Sequence, residues 1–215
     1  MKIKLNSKDG IPGKWDDVTF AQFLAMDGCK DTTDYLALFL KVERETLMKA
    51  RIINLEEAIL ALKFLSQPMP NYLPDSIMGF IIPKNLKLET VCQYEDVKDI
   101  VSKIPPEGKL KAKDLTLYLD LCAVYAMPGY VDATQEQRDE FAKRFLNAPC
   151  WEVMAVGNFT WLKLIESTMK SVHKSPKVIT VLNRFRLVMK VYRARMAFFI
   201  HSFSWKRKLH TKGMS

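Results

Sequence analysis

After Glu166 the 215-residue chain contains no acidic residue. Twelve of its 33 lysines and arginines lie beyond that point: Lys170, Lys174, Lys177, Arg184, Arg186, Lys190, Arg193, Arg195, Lys206, Arg207, Lys208 and Lys212. The other 21 stand against all 24 acidic residues, so the net charge of +9 belongs to this arm and the rest of the chain sits at −3. Long apolar runs are missing too. The longest uncharged ones reach about ten residues, where a membrane-spanning helix needs roughly twenty. The opening residues MKIKLNSKDG lack the apolar centre of a signal peptide. These absences predict a protein that neither spans a membrane nor follows the general secretory route.

Catalytic signatures are absent as well. The chain has no P-loop, GxGxxG, HExxH or GxSxG. Its four cysteines, Cys29, Cys92, Cys122 and Cys150, form no CxxC, and His173, His201 and His210 lie far from all of them. That spacing predicts no metal site and no cofactor, with the thiols free and buried or half-buried in a reducing cytoplasm. The histidines fall in or beside the arm, where no carboxylate of the same segment can orient a general base. The acidic pairs Asp16-Asp17, Glu56-Glu57 and Glu95-Asp96 sit near expected helix starts, where negative charge complements the helix dipole. The expectation is a protein that is not an enzyme.

What is present is a chain 48% hydrophobic, enough to bury a core. The pattern predicts a mainly α protein: a helical body over residues 1–172 with a minor β-hairpin component, and a long basic C-terminal helix and tail over 173–215. Residues 2–6 alternate as a short strand. Thr19 and Gln22 make a T-x-x-Q capping box, so a helix starts there, with Val18 placed to staple onto Phe23. Helices are predicted over 33–42, with Tyr35, Leu36, Phe39 and Leu40 on one face, as a short turn over 43–50, and from the Asn54 cap to about 66. That last helix carries Ile59, Leu60, Leu62, Phe64 and Leu65 before Pro68, Pro70 and Pro74 open a loop. Residues 78–82 and 86–88 read as two strands around Pro83-Lys84-Asn85. Thr90 and Gln93 repeat the T-x-x-Q device, so strand plus capped helix occurs twice, as an internal repeat or by coincidence. After a break at Pro105-Pro106-Glu107-Gly108, a helix over 113–127 carries Leu115, Leu119, Cys122, Ala123 and Ala126 on one face. Asp132 to Gln135 reads as a D-x-x-Q start for a helix through Phe145, with Phe141 and Phe145 inward. Pro149 suits the first turn of a bulky central helix over 150–172, in which Gly157 permits close helix contact.

Ser175-Pro176 caps and starts the arm. Val178, Leu182, Phe185, Met189, Tyr192, Met196, Phe199 and Phe203 recur at spacings of four and three, a heptad seam over roughly 40 Å at 1.5 Å per residue. Three readings follow. The cations, with Trp205 beside Lys206-Arg207-Lys208, suit nucleic-acid phosphate and base stacking. The seam suits assembly, packed on the body or on another subunit. A basic amphipathic helix ending in Phe198, Phe199, Phe203 and Trp205 suits an anionic membrane surface, though no second anchor is visible. Because the seam requires a protein surface, the arm is best described as an assembly helix with a cationic coat. Arg184, Arg186, Lys190, Arg193, Lys206, Arg207 and Lys208 are the candidate contacts to nucleic acid or an acidic partner.

The body resembles the tail-assembly-chaperone-like proteins of tailed phages and small structural proteins of the crAss-like phages. The resemblance rests on the order of patterns: a strand, the helix from Thr19 to Phe23, LEEAILALKFLS, KNLKLETVCQYEDV, the helix ending AVYAMPG, a D-x-x-Q helix and CWEVMAVGNFTWLKLIESTM. It implies a non-enzymatic role in the virion, near the portal or tail, and in the host cytoplasm during assembly. The implied partners are portal, tail or ring proteins, with homo-oligomers and DNA contact through the arm. The alternatives are a transient tail-assembly chaperone absent from the mature particle and a DNA-binding protein unrelated to virions.

Overall fold

The structure, a computed structural model, describes residues 11–49, 56–104 and 111–172. The strand expected over 2–6, the Asn54 cap, the break at Pro105 to Gly108 and the arm over 173–215, with its seam and contact residues, lie outside the described residues. The described part is mainly helical, with one small antiparallel sheet.

The first helix, α1 (Phe20–Ala25), starts where expected. The Thr19 hydroxyl accepts the backbone N–H of Gln22 at 3.2 Å, and the Gln22 side-chain oxygen accepts the N–H of Thr19 at 2.9 Å. Helix α2 (Thr32–Leu40) is capped by Asp31, which accepts from Thr33 and Asp34, and stops at Lys41 in the left-handed region (φ 54°). Tyr35, Leu36 and Phe39 are buried on its inner face. Helix α3 (Arg44–Met48) turns back, and Arg44 grips both Asp31 and Asp34, so one carboxylate caps α2 and ties it to α3. Helix α4 (Glu56–Ala61) tightens into a 3-10 turn over Leu62–Ser66 that buries Leu62, Phe64 and Leu65. Tightening changes the angular step per residue, and Leu60, expected with that group, is 53% exposed.

The hairpin differs from expectation. Its strands are β1 (Ser76–Ile77) and β2 (Phe80–Ile81), with Ser76 opposite Ile81 and Ile77 opposite Phe80. The turn is Met78-Gly79, both at positive φ (51° and 83°), a two-residue geometry whose twist matches paired strands. Pro83 instead leads into a 3-10 turn, Lys84–Leu86, in which Asn85 and Leu86 also have positive φ. Lys163, from the last helix described below, donates to the carbonyls of Asn85 and Leu86 and fixes this loop. No second strand forms over 86–88, so the supposed repeat of strand plus helix reduces to its cap.

Helix α5 (Val91–Lys103) carries the second capping box, Thr90 with Gln93. The Gln93 amide also donates to the Val124 carbonyl at 3.1 Å, joining α5 to the end of a later helix. The helix expected over 113–127 is broken at Thr116 into α6 (Ala112–Leu115) and α7 (Leu117–Ala126). Eight residues of α7, from Tyr118 to Ala126 with only Asp120 excepted, are buried, so this helix is enclosed on all sides rather than on one face. Helix α8 (Gln135–Arg144) starts two residues later than expected. Thr134 and Gln137 form a third capping box, and Asp132 belongs to a preceding 3-10 turn, Tyr130–Asp132. Asp132 and Gln135 offer the same spacing, but Asp132 is taken into the 3-10 turn and the Gln135 amide donates to Asp139, so the box closes at Thr134 and Gln137. Phe141 and Phe145 point inward as expected and stack edge-on against Phe80.

Helix α9 (Cys150–Val172) closes the body and packs on α7. Trp151, Val153, Met154 and Val156 are buried. A Cβ added at Gly157 would overlap the Tyr118 ring, about 2.5 Å from Cε2 and closer to Cδ2 and Cγ, so glycine is what lets α7 and α9 touch. The starts of α1 and α9 are stitched together. Phe20 N–H donates to Ala148 (2.9 Å), Cys150 N–H donates to Val18 (2.8 Å), and Thr19 pairs with Pro149 as an antiparallel bridge. Among the described residues no helix is long and apolar enough to cross a membrane.

Candidate functional site

Three helices and a turn converge on a groove of about 230 Å³. Helix α5 supplies Asp96, Asp99, Ile100 and Lys103, which share one face at spacings of three and four. From α8 come Gln135, Arg138 and Asp139, again one face. The 3-10 turn supplies Tyr130, and α7 supplies Ala123 and Asp120, its one carboxylate in an otherwise apolar helix.

Arg138 organises the groove. Its guanidinium pairs with Asp96 at 3.1 Å, donates to the carbonyls of Tyr130 and Val131, and lies 4.2 Å from the centroid of the Tyr130 ring. Only 16% of its side chain is exposed, so this pair holds α5, α8 and the turn together in reduced solvent. At the other end Lys103 pairs with Asp99 at 2.6 Å. Gln135 donates to Asp139 at 2.7 Å. Asp120 has no ion pair at 4 Å or less among the described residues. Burial raises its carboxyl above the ordinary aspartate value, repulsion from Asp139 raises it further, and Lys103 partly offsets both. Burial likewise raises the Tyr130 phenol. The result is four carboxylates against two cations, already matched as two pairs, with the charge of Asp120 and Asp139 left over.

A groove of this volume falls below the usual range for small-molecule sites, about 300–1,000 Å³. Among the described residues no group of three or more histidine, cysteine or carboxylate side chains is placed to hold a metal ion. The arrangement suits a cationic side chain laid against Asp120 and Asp139. The raised carboxyl in a cleft is the kind of perturbation found at functional sites, and burial on α7 is its main cause.

The residues expected to act from sequence, Arg184, Arg186, Lys190, Arg193, Lys206, Arg207 and Lys208 with the seam from Val178 to Phe203, lie outside the described residues. Of the acidic pairs, Glu95-Asp96 contributes Asp96 to the groove, where it binds Arg138 across 42 positions of sequence. The groove itself was missed by sequence reasoning. Its signals were the polar faces at helical spacing on α5 and α8 and a lone aspartate inside LYLDLCAVYA. The thiols are free. Cys122 and Cys150 are buried and their pKa values raised by burial, Cys150 to about 12, whereas Cys92, whose thiol lies 3.8 Å from the Asp96 carboxylate one turn on, is exposed, contrary to expectation.

No family model matches this chain, nor does a characterised protein or a solved structure.

Proposed function

We propose that this chain is a non-enzymatic assembly protein of a tailed-phage particle, retained in the virion near the portal or tail. It acts through protein–protein contacts, and its C-terminal arm is a long basic helix that meets DNA or acidic virion partners. The observation that carries this reading is the division of charge: twelve cations without one acid from Lys170 onward, on a chain otherwise at −3. A cap at a helix C-terminus uses one or two cations. Twelve imply a polyanionic partner. The order of helix starts on which the phage resemblance rests supports the same reading.

A scaffolding role is supported by the polar side chains of the body that are engaged in structure. Thr19, Thr90 and Thr134 cap helices. Asp31 and Asp34 hold Arg44, and Asp96 holds Arg138.

Mass spectrometry of purified particles tests the proposal. Abundant peptides of this chain in mature particles are expected, and their absence from particles alongside presence in infected cells favours the transient chaperone instead. For DNA contact, affinity of the full chain is measured against salt, with Lys206, Arg207 and Lys208 replaced by glutamine. The expected result is weaker binding and a salt slope shallower by roughly one unit for each phosphate no longer neutralised. An unchanged slope rules those residues out as the DNA-binding cations.

A further inference from the structure

We infer that the groove between α5, α7 and α8 is the docking surface for the basic segment 173–215 of this same chain, which the body holds until a polyanionic partner displaces it. The inference extends the reading of the arm as a contact segment and does not depend on the particle in which that contact is made.

Charge complementarity within one chain identifies the occupant. The groove presents Asp120 and Asp139 beyond its two internal ion pairs, while the segment carries cations and no acid at all. Asp120 lies in the first turn of α7, where its charge complements the helix dipole, but no cation among the described residues is paired with it. It caps no helix, and it half-buries a charge in a helix whose other residues are apolar or tyrosine. Half-burying such a charge is unfavourable, and Lys103, already paired with Asp99, offsets it only in part. The existing pairs show how the surface receives cations. Arg138 lies flat on Tyr130 with its fork on Asp96, and Lys103 meets Asp99, so arginine and lysine are both accommodated. Val131, 42% exposed beside the Arg138 contact, adds an apolar rim for a segment whose seam alternates with its cations. Reach imposes no restriction, because 43 residues can span on the order of 100 Å when extended.

A zero-length carbodiimide, which joins an amine to a carboxylate only when the two touch, tests this on the full chain at low ionic strength. The Lys103–Asp99 pair, at 2.6 Å in the same groove, is the internal control. Links from Lys190, Lys206 or Lys208 to Asp120 or Asp139 are expected in monomeric product and should disappear at high salt. A control link without arm links overturns the inference, as do arm links confined to dimers, which would place a second copy in the groove. As a second measurement, the Asp120→Asn, Asp139→Asn double variant is digested with trypsin. Cleavage within 173–215 should accelerate about tenfold, the effect of two modest charge pairs. An unchanged rate in a variant that unfolds at the wild-type temperature also overturns it. Failure of either test leaves the virion proposal standing, since that is decided on purified particles.

Discussion

Thr19 and Thr90 stand at the heads of α1 and α5 with matching hydrogen bonds. In each, the glutamine three residues on donates its N–H to the threonine hydroxyl at 3.2 Å and returns its side-chain oxygen to the threonine N–H. The next residue is Phe20 in the first case, 0% exposed, and Val91 in the second, 78% exposed. The difference comes from what lies alongside. The first cap is stitched to the start of α9 by the bonds of Phe20 to Ala148 and Cys150 to Val18. The second is tied to the body through Gln93 and the Val124 carbonyl, which holds the helix end but leaves its outer face in water. A capping box sets where a helix begins. It does not set which side of that helix is buried.

The comparison can be broken most directly at the position after each cap. Phe20→Ala should destabilise the protein by about 3–5 kcal/mol in denaturant unfolding, whereas Val91→Ala should stay within about 0.5 kcal/mol. Equal effects would show that the two caps are not different in kind. Next in size is Gly157→Ala, where the new methyl meets the Tyr118 ring and should cost about 1–3 kcal/mol through overpacking. A neutral result would mean α7 and α9 can separate at no cost. Thr19→Ala and Thr90→Ala should each cost about 0.5–2 kcal/mol, with the half-buried Thr19 toward the upper end and the exposed Thr90 toward the lower.

The smallest effects are those of pH, and they have opposite signs at Glu152 and at Asp31. Glu152, on α9 in the stitched junction, has a buried oxygen with no hydrogen-bond partner among the described residues. Its carboxyl is raised first by burial and then by Asp16. The folded state therefore binds the proton more tightly. That contribution is present below the ordinary glutamate value and lost as pH rises through the raised one. Glu152→Gln should remove this decline and leave stability flatter above about pH 4.5. Asp31, gripped by Arg44, is lowered to about 2. Its contribution is present above the ordinary aspartate value and lost as pH falls from 3.8 toward about 2. Asp31→Asn should therefore blunt the acid limb of the stability curve and leave the neutral limb unchanged in shape. Thermal melts across pH check both.

Much of the body was legible because its signals are local. The T-x-x-Q boxes at Thr19 and Thr90, the inward Phe141 and Phe145 and the close contact at Gly157 all depend on residues within a turn or two of each other, or on one small residue in a bulky helix. The hairpin turn was misplaced because Pro83-Lys84-Asn85 has the composition of a turn, while Met78-Gly79 has its backbone angles. The D-x-x-Q at Asp132 points to a start two residues early because Asp132-Gln135 and Thr134-Gln137 share one spacing, and only the 3-10 turn that takes up Asp132 separates them. The groove was not legible because it joins Asp96 to Arg138 and Asp120 to Asp139, and no local pattern reports which helix faces meet.

The sequence by itself determined where most helices start and stop, that the four cysteines form no CxxC, and that the positive charge is gathered after Glu166. Those properties follow from bonding within one turn of chain or from composition alone. Only the tertiary structure decided that α7 is enclosed on all sides, that Phe20 is buried while Val91 is not, and that four aspartates share a groove with Arg138. Burial and the pairing of distant charges depend on which surfaces come together. That is a property of the whole packed chain, beyond the reach of any single segment.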